Sequence, residues 1–183
     1  MNKPTTALAA MAMVLPLSLA PAIARAQAAE AAPRRDAVFI EQGDFAKALA
    51  ARASGKGMSA VGAVRAGNDR INVDVLRRDN LDELPTNHKI VTEIYYILEG
   101  GGDFATGGKM VDPKPMITGG KPVNPASIGP SEKSEKVIGA STRHVQAGDV
   151  VMIPPGVVHN FTRLDGHVTY MVVRVNPGYE KGK

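Results

Sequence analysis

The chain has 183 residues, of which 22 are Lys or Arg, 18 are Asp or Glu, and none is Cys. Without cysteine there is no disulfide staple and no thiolate chemistry, so the fold must rest on a hydrophobic core and any metal on nitrogen and oxygen ligands. Aromatic residues make up only 4% and the basic residues are scattered, which argues against a base-stacking platform or a basic nucleic-acid face, so no nucleic-acid partner is expected.

Residues 1–26 read as a signal peptide. Lys3 gives a positive start, Ala7 to Ala20 is a run of small and apolar residues, and Ala24-Arg25-Ala26 places small residues at the two positions a signal peptidase reads. The run is too short for a membrane span, and no paired arginine precedes it. The general secretory route is therefore expected, giving a periplasmic or secreted protein with no membrane span after cleavage. Cleavage removes Lys3 and Arg25 and no acidic residue, so 22 basic against 18 acidic becomes 20 against 18. The sequence pI of 9.4 is then no argument for a polyanionic partner, and the remaining length suffices for one domain with its own core.

Residues 27–42 are alanine-rich and read as a flexible leader. From Gly43-Asp44 the pattern predicts a short amphipathic helix capped by Asp44, with Phe45, Ala48 and Leu49 on one side, stopping at Ser54-Gly55-Lys56-Gly57. Met58 to Val64 and Ile71 to Arg77 alternate apolar with polar residues around a Gly67-Asn68-Asp69 turn, which predicts two antiparallel strands. Residues 79–87 follow as a loop.

Glu93 to Leu98 is the clearest strand, and its period of two puts Glu93, Tyr95 and Ile97 on one face and Ile94, Tyr96 and Leu98 on the other. A carboxylate aimed into such a sheet is costly unless a cation receives it, which makes Glu93 a candidate metal ligand or the partner of a Lys or Arg such as Arg163. Glu99 to Asp103, with three glycines, is expected to be a hairpin turn into Phe104-Ala105-Thr106. Residues 107–134 are dense in Gly and Pro and read as an inserted loop, either a lid or entrance wall or a plain surface excursion. Val137 to Val145 returns as a strand containing His144, an ordinary polar strand residue, before a turn at Ala147-Gly148-Asp149.

The segment Gly148-Asp-Val-Val-Met-Ile-Pro-Pro-Gly-Val-Val-His-Asn160 leads an apolar run into a stiff turn. Pro154 and Pro155 remove backbone freedom, Gly156 allows the bend, and His159 starts the next strand as an aimed imidazole. After Asn160 to Leu164, Asp165-Gly166 is a two-residue hairpin signal, and Val168 to Val175 is expected to run back along it. That register puts His159, Phe161, Val168, Tyr170 and Val172 on one side and His167 on the other. Residues 177–183 are a polar tail.

Two motifs in this pattern resemble those of the cupin superfamily, in its single-domain form. Gly148, Pro154, Gly156 and His159 match the second cupin motif, with Arg163 where the family often has asparagine; Asn160 does not occupy that slot. Thr86-Asn-His-Lys-Ile-Val-Thr-Glu-Ile-Tyr-Tyr-Ile-Leu-Glu-Gly100 matches the first, with His88, Glu93 and Gly100 in place and Thr86 where the first histidine usually stands. The resemblance implies an all-β fold, a small antiparallel β-barrel or jelly roll with a short N-terminal helix, of about eight to eleven strands between Met58 and Val175. It also implies His88, Glu93 and His159 as metal ligands, the Thr86 position being a weak neutral ligand, a water or empty.

Such a site would hold a divalent transition metal, zinc, copper, manganese, nickel or iron. Its expected work is on a small oxygenated organic molecule, by dioxygenase, lyase or isomerase chemistry, with Tyr95 or Tyr170 moving a proton or holding the substrate. The alternative is a non-catalytic periplasmic cupin that binds a small molecule or a metal. Exposed edge strands lead to the expectation of a homodimer.

Overall fold

The computed structural model describes residues 37–53 and 57–178. The expected signal peptide, residues 27–36 of the leader, the helix stop at 54–56 and residues 179–183 of the tail lie outside the described residues.

Helix α1 (Gln42–Ala53) is followed by β1 (Gly57–Ala66), β2 (Asp69–Arg78), β3 (Thr86–His88) and β4 (Thr92–Thr106). Segment 107–134 carries β5 (Lys109–Val111), β6 (Lys114–Pro115), β7 (Ile117–Thr118), β8 (Lys121–Pro122), the one-turn helix α2 (Pro125–Ile128) and β9 (Ser131–Lys133). The chain continues through β10 (Lys136–Ile138), β11 (Ser141–Gln146), β12 (Val150–Ile153) and β13 (His159–Asn176). The expected strand from Val137 to Val145 is thus two strands, broken at Gly139, which has a positive φ of 76°.

Nine strands make one antiparallel sheet in which β13 has β2 along one edge and β4 along the other, and β4 pairs beyond that with β11 and β12. β3 joins the start of β13 to β9, and β9 joins β6. The architecture is the antiparallel jelly roll with a short N-terminal helix that the motifs imply.

The helix begins earlier than the cap assignment to Asp44 requires. Glu41 supplies the first carbonyl, accepting from Asp44 N and Phe45 N, and Asp44 sits inside the first turn, 3.2 Å from Lys47 Nζ. There its charge still opposes the positive end of the helix dipole. α1 packs on β1 and β2 with Ala48 buried, and that contact, more than intrinsic propensity, holds so short a helix.

This packing decides which way β2 faces. Val75, on its helix-covered side, is fully buried, so the alternate residues Asn72, Asp74, Leu76 and Arg78 turn to the barrel interior, where the first three are nearly inaccessible. An alternating strand with its polar side inward leaves charged groups in the core, and each must find a partner.

The three glycines expected to turn the chain at Glu99–Asp103 lie within β4, which runs unbroken to Thr106. Their role is close approach. A Cβ on Gly100 would stand 2.0 Å from His167 O, one on Gly101 2.5 Å from Val145 O, and one on Gly102 2.1 Å from Arg163 O. Strands β11 and β13 press on β4 from both sides at a spacing only glycine permits.

The Asp165-Gly166 hairpin is also absent. β13 is one strand that pairs with β4 from His159 opposite Thr106 to Val175 opposite Thr92, and residues 165–167 bulge out between Leu164 opposite Gly102 and Val168 opposite Gly100. The bulge is accommodated because glycines face it, and Arg163 ties Asp165 back to the strand. Faces survive the change: Phe161, Val168, Tyr170 and Val172 are all buried in one core cluster with Tyr95, Ile97 and Phe104, while His167 points away toward Glu99. Each large apolar side chain in that cluster contributes about 1.5–3 kcal/mol by leaving water.

Candidate metal centre

Three strands bring the site together. His88 ends β3, Glu93 is the second residue of β4, and His159 opens β13; all three are buried. The Pro-Pro-Gly turn joins the two motifs directly, because Gly156 N donates to the His88 carbonyl at 2.8 Å. Gly156 has a φ of 77°, a left-handed conformation that favours glycine, and the bend it makes delivers His159 to the cavity wall.

Both imidazoles point their Nε2 atoms at one carboxylate oxygen, Glu93 Oε2, at 3.1 Å from His159 and 3.5 Å from His88. Their other nitrogens are fixed from behind. His159 Nδ1 lies 3.1 Å from the Val157 carbonyl, which can only accept, so Nδ1 carries the proton. His88 Nδ1 lies 2.7 Å from Ser131 Oγ, whose single hydrogen is directed to the carbonyls of Ile128 and Gly129, so here too the ring is the donor. A ring held in this way turns its Nε2 toward the carboxylate oxygen, as a lone pair when neutral and as a donor when protonated. Burial lowers the His88 pKa to about 4, against the opposing pull of Glu93, which keeps that ring neutral near pH 7. Burial alone would raise the Glu93 carboxyl, but His159, Arg174 and His88 together outweigh it and hold the group below the usual carboxylate range.

The three groups converge on a point that a shared proton or a metal ion can occupy. These three side chains form a group whose ligand atoms lie within 4.8 Å of one another, and two imidazoles with one carboxylate suit a first-row divalent metal. The tautomers enforced by Val157 and Ser131 are those a ligand pair requires.

The other carboxylate oxygen is engaged separately. Arg174 Nε donates to Glu93 Oε1 at 2.6 Å, and Arg174 Nη1 donates to Asp74 Oδ2 at 2.7 Å. Arg174 therefore takes the role considered for Arg163, which lies on the outer surface between Asp103 and Asp165. Pairing with an arginine and facing the imidazoles are not alternatives, because each uses a different oxygen. Burial raises the Asp74 carboxyl, with Arg174 pulling the other way.

Tyr95 is buried behind the group; its Oη donates to Glu93 Oε2 at 3.2 Å and its ring stacks on Tyr170, with centroids 4.5 Å apart. Tyr170 is fully buried and its Oη accepts from Arg78 Nε at 2.8 Å. Thr86 lies opposite His159 across the strand pair, and its hydroxyl donates to the Leu84 carbonyl at 2.9 Å. His144 stands apart, on the surface with Asp103 and Asp165.

Thr86, His88, Tyr95, His159 and Tyr170 all line one cavity of about 210 Å³, whose further walls include Met116, Val123, Asn124 and Ile128 from segment 107–134. Glu93 itself has no exposed surface and sits behind the imidazoles. Arg174, Asp74, Ser131 and Arg78 are absent from the motifs. Arg174 was nonetheless reachable by parity, two residues beyond Val172 on the inward face of its strand.

No protein-family model matches the chain, and no curated protein matches it by sequence. The fold is similar to solved structures of a double-stranded β-helix protein from Klebsiella pneumoniae (18% identity, 66% of this chain and 78% of that one, TM-score 0.37) and a cupin protein from Bacteroides fragilis (17%, 63% and 71%, TM-score 0.34). It is also similar to an oxalate oxidase in complex with glycolate, at 20% identity over 68% of this chain, with a TM-score of 0.38. This chain spans 52% of that oxidase. These neighbours are cupin and double-stranded β-helix proteins, and the likeness is one of fold.

Proposed function

We propose that this protein is a metal-dependent cupin enzyme acting on a small oxygenated organic molecule, by dioxygenase, lyase or isomerase chemistry. The observation that carries the reading is the convergence of His88 Nε2 and His159 Nε2 on Glu93 Oε2, at 3.5 and 3.1 Å, in a buried group whose ligand atoms lie within 4.8 Å of one another. His88, Glu93 and His159 would hold the metal, leaving positions open toward the cavity; when bound it supplies a Lewis acid for a substrate oxygen and, if redox-active, electrons.

The protein's own groups set the rest. A cavity of about 210 Å³ admits a small molecule, and His88 and His159 are buried in its wall. Glu93 presents only Oε2, because Arg174 occupies Oε1. Burial, with Glu93 and Tyr170 nearby, raises the Tyr95 phenol well above its ordinary value, so it stays protonated and serves as a donor and not as a base. Burial likewise raises Tyr170, against the opposing charge of Arg78.

The test is elemental analysis of the untagged mature protein beside His159→Ala. A near-stoichiometric transition metal lost in the variant is expected; no metal in either protein and no uptake on titration would sink the reading. Metal binding with no turnover of any oxygenated substrate would leave a binding module.

Export through the signal at residues 1–26 belongs to the same reading and is checked by the mass of the N-terminus in the periplasmic fraction. So does a homodimer. On the outer sheet face Met152, Ile94 and Val173 form one cross-strand row and Val150, Tyr96 and Met171 the next, with Met152 70% and Val150 58% exposed. An apolar face beside the edge strand β12 suits a second copy, and a monomeric mass in sedimentation would refute it.

A further inference from the structure

The cavity has a second charged end, which metal binding does not use. Arg78 closes β2 on the inward face and lines the cavity. Its Nε donates to Tyr170 Oη, and its Nη1 meets Glu83 Oε1 at 2.5 Å. These partners differ in kind. Tyr170 is fully buried and fixed in the core, whereas the Glu83 side chain is 63% exposed and comes from the loop at residues 79–85, so Glu83 is the partner that can be displaced. Tyr170 stacks on Tyr95, and Tyr95 bonds Glu93, so the guanidinium and the His88, Glu93, His159 group are the two polar ends of one chamber. Leu76, Phe104, Ile128 and Phe161 make its walls apolar.

We propose that Arg78 recognises a carboxylate on the substrate, and that Glu83 occupies this position until the substrate displaces it. The substrate class is a small organic carboxylate whose short body reaches across the apolar chamber. The proposal rests on the reading of this cavity as the substrate site but does not require the metal. A carboxylate takes Nη1 in place of Glu83 while Nε keeps Tyr170, and Tyr170, which accepts from Arg78, retains its own hydrogen to donate to the second carboxylate oxygen. The exchange conserves charge. Arg78 stays paired, and Glu83 returns to water in which it is already largely immersed, which offsets part of the desolvation that the incoming carboxylate costs.

Calorimetric titration of the full chain, metal-loaded and metal-stripped, with acetate, butyrate and benzoate against their amides tests this. At least one acid is expected to bind about tenfold or more tightly than its amide, and Arg78→Gln to abolish the preference. Glu83→Gln is expected to tighten acid binding several-fold, because it removes an intramolecular competitor present at about millimolar effective concentration. An exposed substitution with a gain of affinity cannot be mistaken for misfolding. No acid preference in wild type and Glu83→Gln, or a preference that survives Arg78→Gln, overturns the proposal. Acid preference in a protein that takes up no metal would sink the metal reading alone; metal uptake without acid preference would sink this one alone.

Discussion

Two clusters of the same chemistry, each built around an arginine of β13 and a carboxylate of β4, lie in opposite surroundings. Inside, Arg174 lies between Glu93 and Asp74 with His159 and His88 beyond; outside, Arg163 lies between Asp103 and Asp165 with His144 beside them. The inner side chains of the arginine and two carboxylates are 1–4% exposed, and those of the outer three are 30–53% exposed. The outer ions keep most of their water, so their pairing adds little to stability. The inner ions have lost theirs, so every one depends on its partner. The same side-chain types make a solvated surface cluster in one place and, stripped of water, a candidate metal-ligand group in the other.

The largest break in this comparison is expected from the two arginines. Arg174→Met strands two buried carboxylates and should cost about 3–5 kcal/mol in urea unfolding, whereas Arg163→Met should leave the midpoint unchanged. Equal effects would mean that burial is not what separates the clusters.

Acid should sharpen the contrast. The native His88 pKa of about 4 lies below the 6.5 of the unfolded chain, so between these values the unfolded state binds a proton that the native state refuses. The metal-free protein is therefore fully stable with respect to His88 above about pH 6.5 and should lose about 3 kcal/mol as pH falls toward 4. Below the ordinary carboxylate range the depressed Glu93 acts in the same direction, its stabilisation being lost as pH falls through its native pKa. His88→Gln should flatten the upper part of the slope in a pH series of thermal melts; an unchanged slope would place the titration elsewhere.

A smaller effect isolates backbone from charge in the outer region. Gly102→Ala would press a methyl group on Arg163 O, and strand separation should cost about 1–3 kcal/mol. That loss should exceed anything Arg163→Met produces in the same urea titration, since the outer cluster matters for strand spacing and not for its ions.

What the sequence disclosed follows from where each cause lies. Glu93, Tyr95 and Ile97 were assigned to one face because strand parity is local, and the structure buries all three. His88, Glu93 and His159 were named by spacing around a stiff turn, and they stand together. Gly100, Gly101 and Gly102 were misread because their reason is the approach of β11 and β13, which no local window contains. Asp165-Gly166 carried a true turn preference that pairing along the whole of β4 overrode. The inward polar face of β2 was hidden because alternation alone does not say which side a helix will cover, and with it went Asp74 and Arg78.

The hydrogen bond from Gly156 N to the His88 carbonyl has a kinetic meaning. It closes a contact between parts of the chain far apart in sequence, as does the pairing of Thr92 with Val175. A topology of such non-local pairings folds on the slow side, in milliseconds to seconds. The two imidazoles can face one carboxylate only after the last of those closures, so a metal ion would be a guest of the finished barrel and not the seed around which it forms.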